Sequence, residues 1–438
     1  MTCIGESGPD SGQGTDKAAV RDPMRAATWL LALAPLFYAS YGFSNWLAAQ
    51  SPDVGSMVFD WERHIPFLEW TIVPYWSINL LYAASLFLCA TREELDIHGR
   101  RLLTAQLVAV SCFIAFPLRL TVAKPETGGF TGFLFDTLAG FDRPYNQAPS
   151  LHIALLVILW SLYARHAPKR LTRLLHGWFL LIGASVLTTY QHHFIDLPTG
   201  MLLGFFCLWL WPEAGRSPLA GLRLTWDRTR WRIGTFYLLG ALSCVAFAVM
   251  LGGSALWLFW PAASLILVAA IYLGIGPQGF QKDSAGRLSL AARLLLAPYL
   301  LGAMLNAWLW TRSAPRPQRI AENVWLGRLA DQHAAALQGF AAVIDLCAEL
   351  PAPRSGTSYV AIPMLDLVPP EPAALRHAVD EIDRYNREGP VLVTCALGYG
   401  RSAAAVAAWL VGTGRAATAG AAAAQLRRAR PGVVVTAA

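Results

Sequence analysis

The residues best suited to chemistry stand in one stretch, Val393-Thr394-Cys395-Ala396-Leu397-Gly398-Tyr399-Gly400-Arg401-Ser402. The apolar run 391–393 reads as a buried strand before it, and an Ala-rich helix opens after it. Strand, tight glycine-containing loop and helix aim several backbone N–H groups and a helix N-terminus at one point. Such a concavity binds a tetrahedral oxyanion such as phosphate. The same field favours the thiolate of Cys395, a nucleophile near neutral pH. Gly398 and Gly400 belong to the anion-binding loop, and Arg401 can hold two phosphate oxygens bidentately. Ser402 can donate its hydroxyl to the sulfur as leaving group. Ahead of the loop, Asp366 precedes Pro369-Pro370 and a helical pattern over 371–387; its residue type there fits an N-cap as well as a proton donor.

A second set of chemically capable residues lies among apolar segments. Arg119, Lys124 and Arg143 precede Ser150 and His152, and His192 and Asp196 follow. Ionisable groups at the boundary of an apolar bundle are costly, which makes them functional candidates. His192 and Asp196 are spaced to share one helix face, so a carboxylate on one imidazole nitrogen would leave the other free to attack phosphorus. His152 can protonate the departing oxygen, and the basic side chains and Ser150 would bind the phosphate. His193 is expected to be an interfacial anchor.

These sites need very different scaffolds. The chain has 438 residues, 55% of them hydrophobic and only 14% charged, with 17 Trp. This composition is that of an integral membrane protein. Apolar segments of spanning length occur at about 27–49, 68–90, 102–122, 151–164, 174–190, 194–212, 233–251, 255–275 and 292–311. Basic residues gather in alternate loops, at Arg92, Arg100 and Arg101, at Arg165, Lys169, Arg170 and Arg173, and from Arg216 to Arg232. Those loops are expected on the cytoplasmic side, with the histidines on the other. The net charge of +7 therefore reflects membrane orientation, and a nucleic-acid partner is not expected. Seven scattered cysteines without paired spacing argue against a disulfide framework or a metal site, and no cofactor is expected.

After Trp310 the composition becomes that of a soluble domain. Strands are expected at 324–326, 343–346 and 359–362, a helix over 371–387, the strand into Cys395, then helices through Leu410 and Leu426. Alternating strands and helices imply a small α/β sandwich with a mostly parallel sheet and the loop at a strand's C-terminal end.

The Cys-x5-Arg loop resembles that of the protein-tyrosine-phosphatase superfamily, and residues 318–436 resemble its dual-specificity branch through Asn323-Val324-Trp325-Leu326-Gly327, Val343-Ile344-Asp345-Leu346 and Ile362-Pro363-Met364-Leu365-Asp366. The resemblance implies that Asp366 is the general acid. Thr394 stands where that family usually has His. Residues 101–212 resemble the type 2 phosphatidic acid phosphatase superfamily, six-helix membrane enzymes with a histidine nucleophile. Pro149-Ser150-Leu151-His152 matches its Pro-Ser-x-His motif, and His192-x3-Asp196 the end of its third motif. This implies His152 as general acid, His192 as nucleophile and Asp196 as its orienting carboxylate. Ser185-Val186 replaces the usual Ser-Arg, and the first motif is reduced to Arg119 and Lys124-Pro125. In these respects the chain is more similar to the sphingomyelin and inositol-phosphorylceramide synthase branch.

The expected organisation is a tail at 1–22, a membrane phosphatase-like domain at 23–212, further membrane helices at 213–311, a linker at 312–320 and the α/β phosphatase domain at 321–438. The expected protein is a multi-pass α-helical membrane bundle, with about nine spans and a six-helix phosphatase core, in a bacterial-type inner membrane. It would hydrolyse lipid phosphate through histidine and a phosphomonoester through cysteine, with the cysteine domain in the cytoplasm. A headgroup transferase with an attached phosphatase, and a membrane-anchored module that binds phospho-ligands, are the alternatives.

Overall fold

The computed structural model describes residues 21–140, 143–313, 315–329, 339–352 and 356–434. The expected tail lies, up to residue 20, outside them. The chain divides into two compact units, one containing 66–147 and 155–192 with the chain before residue 55, the other containing 55–65, 148–154 and 193–438.

The first unit is helical: α1 (Pro23–Ala49), α2 (Ile72–Leu88), α3 (Arg92–Ala115), α4 (Gly129–Ala139), most of α5 (Leu151–His166), and α6 (Thr172–Thr188). Asp22 starts α1 by accepting from the Arg25 N–H at 3.0 Å, with Pro23 in the first turn. α1 packs on α3 and α2 on α6. Gly99 of α3 lies against the Trp29 indole, where a Cβ would come within 2.5 Å. Arg25 grips Asp96 of α3 through two bonds of 2.7 Å.

The second unit begins with α7 (Asp196–Leu210), α8 (Arg228–Leu251) and α9 (Phe259–Ala270), which runs on into a π-helical turn, Ile271–Ile275. α10 (Leu290–Leu295) and α11 (Ala297–Thr311) follow. α8 packs on α9, α7 on α10, and α9 on α11.

Among the described residues, five helices are long and apolar enough to cross a membrane: Pro23–Ala49, Glu69–Leu88, Lys169–Thr188, Arg228–Leu251 and Gly253–Ile275. The other expected spans differ for identifiable reasons. The expected 102–122 is helical only as far as Ala115, where α3 ends, and the rest of α3 carries Arg92, Glu93, Glu94, Asp96, Arg100 and Arg101. α5 and α7 are apolar but only 16 and 15 residues long. The segment 292–311 is divided between α10 and α11. Outward-facing Leu31, Leu80, Leu180, Phe236 and Met250 are the surface expected of helices solvated by lipid.

The C-terminal part is a sheet of β1 (Gln318–Ala321), β2 (Val324–Arg328), β3 (Ala342–Cys347), β4 (Ser358–Met364) and β5 (Val391–Cys395) in the order β1-β2-β5-β3-β4. Among the described strands, only β1 runs antiparallel to its neighbour. It takes up the end of the segment read as a linker. β3 and β5 are buried along their whole length, as parallel strands covered on both faces must be. α12 (Pro372–Asn386), α13 (Arg401–Gly412) and α14 (Ala419–Ala429) cover the sheet.

Within this unit the sheet domain shares a core with the helices. Ala348 and Leu365 are buried in one cluster with Trp209, Ile271, Phe280 and Leu300. The loop between α9 and α10 inserts Lys282 beside β3, where it donates to the carbonyl of Cys347 at 2.6 Å. Gly286, at φ +76°, brings this loop so close that a Cβ would lie 2.3 Å from Ala352.

Candidate active site

β5 delivers Cys395 to the end of the sheet, in register with Arg328 of β2, and α13 begins at Arg401. Between them the loop crosses the end of β2. Gly398 has φ +75°, and a Cβ there would sit 2.5 Å from the Gly327 carbonyl, so both steric and backbone demands select glycine. The loop tip is clamped from behind. Arg430 stacks on Tyr399 at 4.6 Å and donates to the Leu397 carbonyl at 3.2 Å, while the Val434 N–H donates to the Tyr399 carbonyl at 2.9 Å.

The buried sulfur of Cys395 accepts from the Gly398 N–H at 3.2 Å and lies 3.1 Å from the Ser402 hydroxyl. Gly400 caps α13, with open space where a side chain would start. Thr394, where the dual-specificity family usually has His, is fully buried, and its hydroxyl donates to the Ile344 carbonyl at 3.4 Å. That position serves the sheet.

Arg401 is buried and held from three sides. Its terminal nitrogens donate to both oxygens of Glu349 at 2.7 and 2.6 Å, and one also donates to the Met364 carbonyl at 2.9 Å. Its Nε lies 3.2 Å from an Asp366 oxygen, a charge contact without hydrogen-bond alignment; among the described residues this N–H has no hydrogen-bond partner. Burial opposes the Arg401 charge most strongly, but Glu349 together with Asp366 and the other groups around it holds the guanidinium well above its ordinary value. Glu349 faces the same opposition, and Arg401 together with further hydrogen bonds to the carboxylate brings it below its ordinary value. Asp366 goes the other way. Burial pushes its carboxyl up, Arg401 opposes and Glu349 reinforces. A carboxyl that retains its proton to higher pH is suited to protonating a leaving group.

Glu349 was not anticipated from the sequence. Its signal is weak: one carboxylate just past a fully buried strand, in Cys347-Ala348-Glu349-Leu350.

The histidine candidates are distributed over the two units. In the second, Ser150 is buried, its hydroxyl accepts from the Ile153 N–H at 3.3 Å, and its own N–H donates to the Asp196 carbonyl at 3.2 Å. A Cβ on Gly200 of α7 would lie 2.5 Å from the Ser150 carbonyl, so the first turns of α5 and α7 lie against each other. His152 is half-buried at the start of α5, and Asp196 is fully buried at the start of α7. The Asp196 carboxylate accepts from the His193 N–H at 3.1 Å. His193, expected to be an interfacial anchor, is instead buried against Glu62 at 3.1 Å. His192 ends the first unit, buried, with its N–H donating to the Val186 carbonyl at 3.2 Å. Arg119, Lys124 and Arg143, also in the first unit, are exposed. Among the described residues, no cluster of His, Cys, Asp and Glu could hold a metal ion.

No curated protein matches the chain. Solved structures similar to part of it include the active form of Tk-PTP, with 27% identity over 28% of this chain and 90% of that one and a TM-score of 0.26. Human DUSP28 has 24% identity over 27% of this chain and 84% of that one, with a TM-score of 0.25. PTPMT1 in complex with PI(5)P has 20% identity over 27% and 86%, with a TM-score of 0.25. The family model described as "Polymorphic toxin system, DSP-PTPase phosphatase" matches residues 327–415, which span β5, the Cys395 loop and α13. The C-terminal part of the chain carries a phosphatase domain of the dual-specificity type, and the protein is a phosphoric ester hydrolase.

Proposed function

We propose that the chain is a bifunctional membrane phosphatase, with Cys395 as the nucleophile of one site and His192 as that of the other. The observation that carries the first assignment is the meeting of the Gly398 N–H and the Ser402 hydroxyl on the Cys395 sulfur, in a loop whose Arg401 touches Asp366. The Cys395 thiolate attacks phosphorus in line with the ester oxygen. The S–P bond forms as the P–O bond breaks, and the departing oxygen takes the Asp366 proton. Loop N–H groups, the α13 N-terminus and Arg401 stabilise the charge on the transferred group. The Asp366 carboxylate then takes a proton from water, whose oxygen attacks phosphorus. Phosphate leaves, and the thiolate returns with Ser402 donating to it.

The second site would use His192 as nucleophile, Asp196 to orient it and His152 to protonate the leaving oxygen, with Ser150, Arg119, Lys124 and Arg143 as the phosphate-binding groups. The packing of the Pro-Ser-x-His segment on the start of α7 supports assigning His152 and Asp196 to one site. Its substrate is proposed to be a lipid phosphate, since neighbouring helices are long and apolar enough to cross a membrane. Val186, at the place of the family's arginine, is fully buried and supports the His192 turn through its carbonyl. With no guanidinium there, transfer of a phospho-headgroup to an acceptor alcohol is the second reading. The inner membrane and a cytoplasmic cysteine domain complete the proposal; protease added to sealed vesicles of either orientation tests the side.

Two variants test the two sites separately. Cys395→Ser is expected to abolish phosphate release from a soluble aryl phosphate and to leave lipid-phosphate turnover intact, with the reverse for His192→Ala. Loss of both activities in either variant would reject two independent sites. Product analysis with and without an acceptor alcohol distinguishes hydrolysis from transfer.

A further inference from the structure

The loop carrying Asp366 rests on helices that precede the sheet domain by many residues. Leu365 is buried in the same core as Ile271, Phe280 and Leu300, and Val368 packs against it. Between them, Leu367 has φ +59°, a left-handed conformation that a leucine adopts only when its surroundings impose it. The Tyr272 hydroxyl donates to the Asp366 carbonyl at 3.2 Å. Tyr272 is 1% exposed and occupies the π-helical turn that ends the Gly253–Ile275 segment, a helix irregularity that recurs at functional sites. Its ring lies 5.7 Å from that of Tyr237 on α8, Tyr237 lies 5.7 Å from Tyr299 on α11, and Tyr299 stacks on Phe280 at 5.9 Å. Three helical segments thus fix one phenol against the backbone of the acid loop.

We infer that Tyr272 is a positioning residue for the cysteine site: by holding the Asp366 carbonyl it keeps the strained loop in place and the carboxyl next to Arg401. The inference rests on the role of general acid proposed for Asp366. Tyr272 transfers no proton itself. Asp366 supplies the leaving oxygen's proton, and Tyr272 sets where that proton is when the P–O bond breaks. The membrane-type helices would then be part of the machinery of the cysteine enzyme and more than its anchor.

The test uses the full chain in detergent micelles and two esters: p-nitrophenyl phosphate, whose phenolate leaves without a proton, and a primary alkyl phosphate, whose oxygen must be protonated. Both are turned over by the same folded fraction, so the ratio of their kcat values is blind to any loss of folded protein. Tyr272→Phe is expected to lower the alkyl-to-aryl ratio about fivefold, the weight of one neutral hydrogen bond. Asp366→Asn is expected to lower it further. An unchanged ratio in Tyr272→Phe, with the ratio reduced in Asp366→Asn, overturns the positioning role alone. An unchanged ratio in both overturns the acid assignment and this inference with it.

Discussion

Lys282, on the loop between α9 and α10, and Asp345, within β3, form an ion pair of 2.5 Å in which neither side chain is exposed. The remaining capacity of the carboxylate is used: the Tyr359 hydroxyl donates to the same oxygen, and the Cys347 N–H donates to the other at 2.8 Å. A buried pair persists only when its partners are satisfied in this way. Its location joins the helices of the unit to the strand that leads directly to Glu349.

Removing one partner should therefore be severe. Lys282→Met leaves Asp345 buried without its cationic partner, and should cost about 3–5 kcal/mol, read from denaturant unfolding of the full chain by tryptophan fluorescence. The double variant Lys282→Met with Asp345→Leu should recover much of the loss. A midpoint unmoved by Lys282→Met would mean that this contact does not hold the domain.

Glu349 should matter in two ways. Glu349→Ala leaves Arg401 without its carboxylate, so both stability and aryl phosphatase activity should fall, the first by about 3–5 kcal/mol. The folded pKa of Glu349 is lowered, so the pair's contribution is complete above the ordinary glutamate value of about 4.3 and is lost as pH falls through the lowered folded value. Acid unfolding of the wild type should accelerate below that range, and Glu349→Gln should lose this acid-dependent component. An identical acid profile in Glu349→Gln would refute the assignment.

The pH dependence of turnover has a definite sign. Asp366 must carry a proton to act as an acid, and its pKa is raised, chiefly by burial. For an alkyl ester, kcat should hold through the ordinary carboxylate range and decline only at higher pH. Asp366→Asn should remove that decline together with most of the rate, about 10²–10⁴-fold. A decline that survives in the variant belongs to another group.

The two loop glycines should respond differently. Gly398→Ala places a Cβ against the Gly327 carbonyl at a left-handed φ and should destabilise the domain by about 1–3 kcal/mol while abolishing aryl phosphatase activity. Gly400→Ala meets open space and should leave the unfolding midpoint within about 1 kcal/mol of wild type. Equal losses of stability would contradict the described loop path.

Much of the cysteine site was legible along the chain. Strand, loop and helix around Cys395 are set by neighbouring residues, and so are the buried strand β3 and the amphipathic α12. The edge strand β1 was not, because Pro315 and Pro317 announce a linker and an edge strand is completed only by its partner β2. Of the nine apolar segments, those that fall short of a span do so through helix ends that a hydropathy window does not see: α3 stops at Ala115, α5 and α7 stop at 16 and 15 residues, and 292–311 is divided at Leu296.

What the sequence determined by itself was the chemistry on offer: a thiol at a helix start, a guanidinium six residues on, a carboxyl ahead of a proline pair, imidazoles beside apolar spans. The tertiary structure decided which of these capacities meet. Arg401 found Glu349 across 52 residues, Lys282 found Asp345 across 63, and Tyr272 found the Asp366 loop across 94. The type of a residue establishes what it can donate, accept or ionise, whereas its partner is chosen by the packing of distant segments, whose buried charges and hydrogen bonds must be satisfied together.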